Sequence, residues 1–189
     1  LHMTVNSFSQ NMREHLVPIR KDVSGVAHYD TEKDVIYMPG QKNFAQYEDY
    51  TQELMRQLVS ATGHQQRLAR EGMVMKGGKA PSEDALKYER LVTEVASGIK
   101  MRELGCAARL SEDSIGMVDY WTRELKENPD LLDNLESDVN NALEVIRKAE
   151  KGERIEYASY RNRQQTEELR EKQKPQVDAR ECAILIDII

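Results

Sequence analysis

Hydrophobic residues recur every three or four positions through most of the chain, the spacing that places side chains on one face of an α-helix. The pattern predicts a short helix from Ser7 to Leu16 and four longer helices. The longer helices are expected at residues 45–62, at 82–104, from Ser111 to the break at Asn128-Pro129, and at 129–151. Each carries an apolar stripe, so the chain should be mainly helical around one core.

The other regular pattern is a pair of β-rich segments near the N-terminus. Residues 23–28 and 34–38 are predicted to form a hairpin, because the second segment is β-branched and aromatic and residues 30–33 suit a turn. The predicted fold class is therefore α+β, a small antiparallel β element packed on four or five helices in one domain, residues 4–152. Residues 1–3 are excluded as a cloning remnant. Residues 153–189 are predicted to form a polar helical or disordered extension with an apolar end.

The helix at 45–62 carries the candidate chemistry. It ends at Gly63, which is expected to adopt the left-handed C-terminal cap. Zinc hydrolases place His-Glu-x-x-His on such a helix, where two imidazoles bind the metal and the carboxylate acts as the base. Here those three positions hold Arg56, Gln57 and Ser60. Arginine has no lone pair for a metal, a glutamine amide is not a base, and serine is a poor zinc ligand.

Several runs of residues together resemble one family. They are YDTEKDVIYMP at 29–39, the aromatic residues Phe44, Tyr47 and Tyr50, and LVSATGH at 58–64 with Arg67-Leu68 and Arg70 after it. The chain resembles the zincin-like metallopeptidase domain of antirestriction and polyvalent proteins, which plasmids, conjugative transposons and phages carry. The likeness covers roughly residues 24–151.

In that family the helix carries His-Glu-Leu-x-His, so the resemblance implies a zincin-like fold whose zinc motif is degenerate at Arg56, Gln57 and Ser60. It also implies that a later helix supplies a glutamate, and Glu94, 34 residues after Ser60, is the position that is retained. We expect Glu94 to pair with Arg56, so that a guanidinium lies where zinc would have been. Glu94, Arg56 and His64 then form a vestigial site.

His64 follows the glycine that ends the helix, and two interpretations apply to it. It is either a surviving ligand or substrate contact, or a residue that satisfies carbonyl groups at the helix C-terminus, where a cationic imidazole is favoured. The second interpretation is preferred. No metal and no other cofactor is predicted for the chain.

Composition narrows the function classes further. The net charge of −6 does not favour a dedicated nucleic-acid binder, although a local contact stays open. Cys106 and Cys182 are too few for a disulfide framework and suit reduced thiols in the cytoplasm. No apolar run approaches the roughly 20 residues that span a bilayer, and no signal peptide is expected. The expected partner is a protein, and the apolar end from Ile184 to Ile189 is a candidate for self-association.

Three hypotheses about function follow. The favoured one is a catalytically inactive, peptidase-like antirestriction domain of a mobile genetic element that binds protein or nucleic acid. The second is an active metallohydrolase with unusual ligands, drawn from His64, Glu94, His28 and Glu53. The third is a helical scaffold unrelated to zincins. The first is favoured because three replaced positions leave no ordinary hydrolytic mechanism.

Overall fold

The structure, a computed structural model, describes residues 2–153 and residue 155. Within them, six α-helices and three β-strands follow one another. In chain order they are α1 (His2–His15), β1 (Ile19–Lys21), β2 (His28–Asp30), β3 (Val35–Met38), α2 (Tyr47–Thr62), α3 (Glu83–Glu103), α4 (Glu112–Ile115), α5 (Val118–Glu127) and α6 (Pro129–Glu150). The predicted α+β class is confirmed.

The ends of the long helices are set by residues that favour the start or the end of a helix. Ser82 caps α3 by accepting a hydrogen bond from the Ala85 amide, and Pro129 occupies the first turn of α6. α1 begins at His2 and therefore includes two of the three residues that were set aside as a cloning remnant. The predicted third helix is two helices, α4 and α5, which are separated at Gly116.

Gly63 ends α2 but does not adopt the left-handed conformation that the sequence suggested. Its φ is −79° and its ψ is −4°, in the right-handed region that any residue can adopt. The need for glycine is one of space, because a Cβ would lie 2.7 Å from Met73 Cγ and 2.8 Å from an Arg70 nitrogen. Gly105, after α3, does have a left-handed φ of +76°.

The sheet has three strands in the order β1-β3-β2. β2 and β3 form the predicted antiparallel hairpin, with Tyr29 opposite Ile36, but β2 starts at His28 rather than Val23. β1 was not predicted, and it pairs with β3 in parallel, with Ile19 opposite Ile36. Two parallel neighbouring strands require a crossover connection, which no local sequence pattern indicates.

The core lies where α2, α3 and α6 pack together, with α1 against α6 and the sheet against α2. Its fully buried side chains include Leu54, Leu58, Val92, Leu135 and Leu143. Trp121, the single tryptophan, is buried and donates its indole N–H to the Lys87 carbonyl. Ile115, at the end of α4, is exposed.

Some predictions concern the C-terminal part of the chain. The extension at 153–189, with Cys182 and the apolar end from Ile184 to Ile189, lies outside the described residues apart from residues 153 and 155. None of the helices in the described part is long and apolar enough to cross a membrane.

Candidate functional site

The site lies between α2 and α3, which pack as antiparallel neighbours. Gln52 Nε2 donates to Ser97 Oγ at 3.2 Å, and one turn along α2 the Nε of Arg56 donates to both carboxylate oxygens of Glu94, at 3.2 Å each. The ion pair predicted from the sequence is therefore confirmed. Only 13% of the Arg56 side chain and 4% of the Glu94 side chain are exposed, so water screens the pair little.

Every nitrogen of the Arg56 guanidinium has a hydrogen-bond partner. Nη1 donates to Glu53 Oε2 at 3.2 Å, and Nη2 donates to the carbonyl oxygen of Arg109 at 2.6 Å. Gln57 Nε2 donates to the other oxygen of Glu53 at 2.7 Å. The positions where the resemblance implies a metal ligand and a base are thus occupied by a closed hydrogen-bonded cluster.

Glu94 is held from its other side by two serines. Its Oε1 accepts hydrogen bonds from Ser111 Oγ at 2.9 Å and Ser114 Oγ at 2.7 Å. Hydrogen bonds to the charged form stabilise a carboxylate in a buried position. The sequence indicated Ser111 only as the start of a helix, so both serines were missed, and their spacing also serves the cap, in which Ser111 Oγ accepts from the Ser114 amide.

The segment between α3 and α4 lies against α2. Gln52 Oε1 accepts a hydrogen bond from the Arg109 amide at 3.1 Å, and Arg56 binds the carbonyl of the same residue. Two side chains one helical turn apart therefore hold both polar backbone groups of Arg109. Nothing in the sequence marked Arg109, because it is its backbone and not its side chain that is bound.

The donor chemistry of this site does not fit a divalent metal. Arg56 offers only N–H donors, Gln57 is bound to Glu53, and Ser60 is a weak ligand that lies partly exposed on α2. The two carboxylates of the cluster are already engaged, because Glu94 accepts from Arg56 and the two serines and Glu53 accepts from Arg56 and Gln57. Among the described residues, no three His, Cys, Asp or Glu side chains are grouped so that they could hold a metal ion.

His64 is buried, and both of its ring nitrogens bind backbone groups. Nδ1 accepts a hydrogen bond from the Gln66 amide at 3.1 Å, so Nε2 carries the proton and donates to the Thr31 carbonyl at 3.2 Å. The expected contact with carbonyls at the end of α2 is therefore wrong, because the imidazole binds the β2–β3 turn instead.

The other residues considered as unusual ligands do not converge on one point. His28 Nδ1 lies 3.2 Å from the Val26 carbonyl, and its ring stacks on Tyr37. Glu53 is bound to Arg56 and Gln57. Glu53 and Glu94 thus meet at Arg56, whereas His28 and His64 contact backbone groups elsewhere.

Two buried arginines, Arg67 and Arg70, lie in the segment that follows α2. Arg67 donates to Asp34 through both terminal nitrogens, at 2.7–2.9 Å, and so ties the β2–β3 turn to the end of α2. Arg70 donates to Glu89 through Nε at 2.8 Å and Nη2 at 2.7 Å. Burial alone would lower the pKa of Arg70, but the Glu89 carboxylate outweighs it and holds the pKa above its usual value. Both arginines are structural and not phosphate ligands.

A cleft of about 540 Å³ opens beside Arg56. One wall is formed by Phe44 and by residues 48–56 of α2, and the other by residues 107–112, which follow α3. Its lining residues are Phe44, Glu48, Asp49, Gln52, Glu53, Arg56, Ala107, Arg109, Leu110 and Glu112. The lining of the cleft is thus rich in acidic residues and partly apolar, and it includes Arg56.

Comparisons with known proteins agree with this architecture. Residues 6–134 match a family model described as a zincin-like metallopeptidase. Two crystal structures of the antirestriction ArdC protein from plasmid R388, one Mn(II)-bound and one metal-free, are similar, with TM-scores of 0.66 and 0.65 and sequence identities of 21% and 22%. The similarity covers 77% and 79% of this chain but 51% of each ArdC chain, so the chain spans about half the length of those structures. No curated protein sequence matches the chain.

The family match spans α2 and α3 and rules out the third hypothesis, a helical scaffold unrelated to zincins. At this level of identity the ArdC structures show a shared fold.

Proposed function

Since the chain belongs to the zincin-like metallopeptidase family, we propose that it is a member without a metal centre, which acts by binding and not by hydrolysis. The observation that carries this proposal is the Arg56 guanidinium on Glu94, with Nε 3.2 Å from each carboxylate oxygen. A permanent cation beside the retained glutamate supplies the charge that a metal would supply there. It does so without a coordination position for water.

Hydrolysis of a peptide bond also needs a group that removes a proton from water. Gln57, at the position of the family glutamate, is an amide with no basic site, and its nitrogen is engaged by Glu53. The nearby carboxylates of Glu53 and Glu94 are both paired with Arg56. The chemistry of this cluster therefore supports a structural role, in which the former catalytic helix is fixed against α3.

For the biological setting we propose an antirestriction-type role on a mobile genetic element, in the cytoplasm. The support is the fold that the chain shares with the antirestriction ArdC protein. The chain spans about half the length of the ArdC chains, so the proposal concerns the shared half alone. Within it we propose a protein partner over nucleic acid, because the net charge is −6 and the cleft beside Arg56 is acidic.

The experiment is elemental analysis of the purified chain after expression with added zinc and manganese, combined with a peptide-hydrolysis assay with and without a chelator. We expect a metal content well below one ion per chain and no chelator-sensitive hydrolysis. The matched variant is His64→Ala. Stoichiometric metal in the unmodified protein that is lost in this variant would establish the hydrolase with unusual ligands instead.

A further inference from the structure

We propose that the cleft beside Arg56 binds a lysine or arginine side chain presented by a segment of a partner protein. This inference rests on the proposed function, in which the domain acts by binding, and it names the chemistry of the partner. The cleft lies between residues 48–56 of α2 and residues 107–112. Its volume of about 540 Å³ falls within the roughly 300–1,000 Å³ that is typical of ligand sites.

The surface of the cleft offers a place for an aliphatic stem. Phe44, Ala107 and Leu110 line it, and Phe44 is fixed edge-on against Tyr50, with ring centroids 5.5 Å apart. Lysine and arginine bury their methylene stems along apolar surfaces while the charged end remains near polar groups. The Phe44 ring can also attract a cation that lies over its face.

Acidic residues outnumber basic residues in the lining of the cleft. Four acidic residues and two arginines line it, but the arginines are already engaged. Arg56 is bound to Glu53 and Glu94, and Arg109 Nη1 lies 3.7 Å from Asp49. Glu48 and Glu112 are also in the lining, and the ion pairs of the described residues include neither of them. The cleft therefore attracts a cation that the described residues do not supply.

A simpler role for the two glutamates is local. Glu48 lies in the first turn of α2 and Glu112 in the first turn of α4, where a negative charge stabilises the helix N-terminus. That role concerns folding and requires no ligand, whereas the proposed role changes affinity for a cationic segment. The two roles are separated by measuring stability and binding on the same variants.

The direct test is fluorescence anisotropy with the full chain and three labelled probes. The first is a decapeptide of alternating lysine and alanine, the second has glutamate in place of lysine, and the third is a single-stranded decanucleotide. We expect saturable binding of the lysine peptide, weakened by added salt because the attraction is electrostatic, and no binding of the two anionic probes. Binding of the decanucleotide in place of the lysine peptide would overturn the proposal.

Two variants locate the binding. The double variant Glu48→Gln with Glu112→Gln should weaken binding of the lysine peptide at least tenfold, since the change removes both unpaired carboxylates. Ala107→Lys adds a cation at an exposed position of the lining and should weaken binding of the peptide as much, because the new side chain competes for the same acidic residues. The matched control, Asp119→Asn with Glu127→Gln on α5, changes the net charge equally outside the cleft and should bind as the unmodified chain does.

Each result of these measurements either supports or overturns the proposal. Equal weakening in the cleft variants and the control would show a non-specific charge effect and overturn the proposal, as would unchanged affinity in the cleft variants. Thermal unfolding of each variant confirms that the protein tested is folded. Mass spectrometry of the recovered peptide tests the proposed function separately: an intact peptide without binding contradicts only this inference, whereas chelator-sensitive cleavage contradicts the metal-free function itself.

Discussion

The Nε of Arg56 lies 3.2 Å from each carboxylate oxygen of Glu94, a residue 38 positions away on the neighbouring helix. The guanidinium also binds Glu53 and the backbone of Arg109, so one side chain joins α2, α3 and the segment after α3. In a metallopeptidase, a metal would join the corresponding elements. Here hydrogen bonds within the chain hold these elements together. The effect of removing them can therefore be measured as a change in the free energy of unfolding.

Replacement of Arg56 by alanine should destabilise the fold by about 3 kcal/mol. This is the lower end of the roughly 3–5 kcal/mol that breaking a buried ion pair costs, because Ser111 and Ser114 would still donate to Glu94. Denaturant unfolding followed by circular dichroism measures the change. The double variant Arg56→Met with Glu94→Gln should recover part of the loss, since it leaves no buried charge unpaired.

The control for that prediction is Arg90→Ala on α3. Arg90 lies 3.9 Å from Asp113 in an exposed pair, and such pairs contribute about 0–1 kcal/mol. Equal effects of the two alanine variants would show that the Arg56 pair has no special role in cohesion.

Arg70 should not tolerate lysine. Its guanidinium donates to Glu89 through two nitrogens, and also to Thr62 Oγ1 at 2.8 Å and the Val59 carbonyl at 2.7 Å. A lysine ammonium is a point charge that cannot reproduce this planar arrangement. We expect Arg70→Lys to cost about 2–3 kcal/mol, as one or two buried hydrogen bonds to charged groups are lost. A midpoint of thermal unfolding within error of that of the unmodified chain would refute this.

Glycine is required at position 72 for space. A Cβ there would lie 2.5 Å from Glu89 Cβ and 2.6 Å from the Ala85 carbonyl oxygen, and these atoms belong to α3 and cannot move aside freely. Gly72→Ala should therefore destabilise the fold by about 1–3 kcal/mol, the usual cost of overpacking. The matched control is Gly116→Ala, where the nearest atom is at an ordinary 3.5 Å, and its stability should change by less than about 1 kcal/mol.

Tyr88 should make the protein sensitive to alkali. Burial raises the pKa of Tyr88 far above its ordinary value, and the Asp138 carboxylate that accepts its hydrogen bond raises it further. Because the folded-state pKa is the higher, this contribution is fully present below about pH 10, where the unfolded tyrosine ionises, and is lost as pH rises beyond it. Tyr88→Phe should flatten the fall in stability above pH 10. A slope identical to that of the unmodified chain would contradict the assignment.

Much of the fold follows from local sequence patterns. Periodicity located α2, α3 and α6 to within a few residues, because each buries one continuous apolar face. The Arg56–Glu94 pair could also be predicted, since the two residues hold positions that a metal would otherwise connect. The reason for a glycine at position 63 could not be predicted, because the lack of space there comes from Arg70 and Met73, which approach Gly63 only in the folded chain.

What the sequence missed depends on contacts between distant segments. The parallel pairing of β1 with β3 is determined by a crossover and not by a turn. The bond from Gln52 to the Arg109 amide involves a backbone group, which has no sequence signature. Ser111 showed only the local signal of a helix start and Ser114 showed none, although the hydroxyl groups of both hold Glu94.

The most direct test of the central claim is a calorimetric titration of zinc into the unmodified chain and into the variant Arg56→His with Ser60→His. That variant places two imidazoles one helical turn apart beside Glu94, which is the ligand arrangement that the family motif supplies. We predict no saturable zinc binding by the unmodified chain and one zinc per chain in the variant, weakened by a further Glu94→Ala change. Tight one-to-one zinc binding by the unmodified chain, lost on Glu94→Ala, would contradict the account.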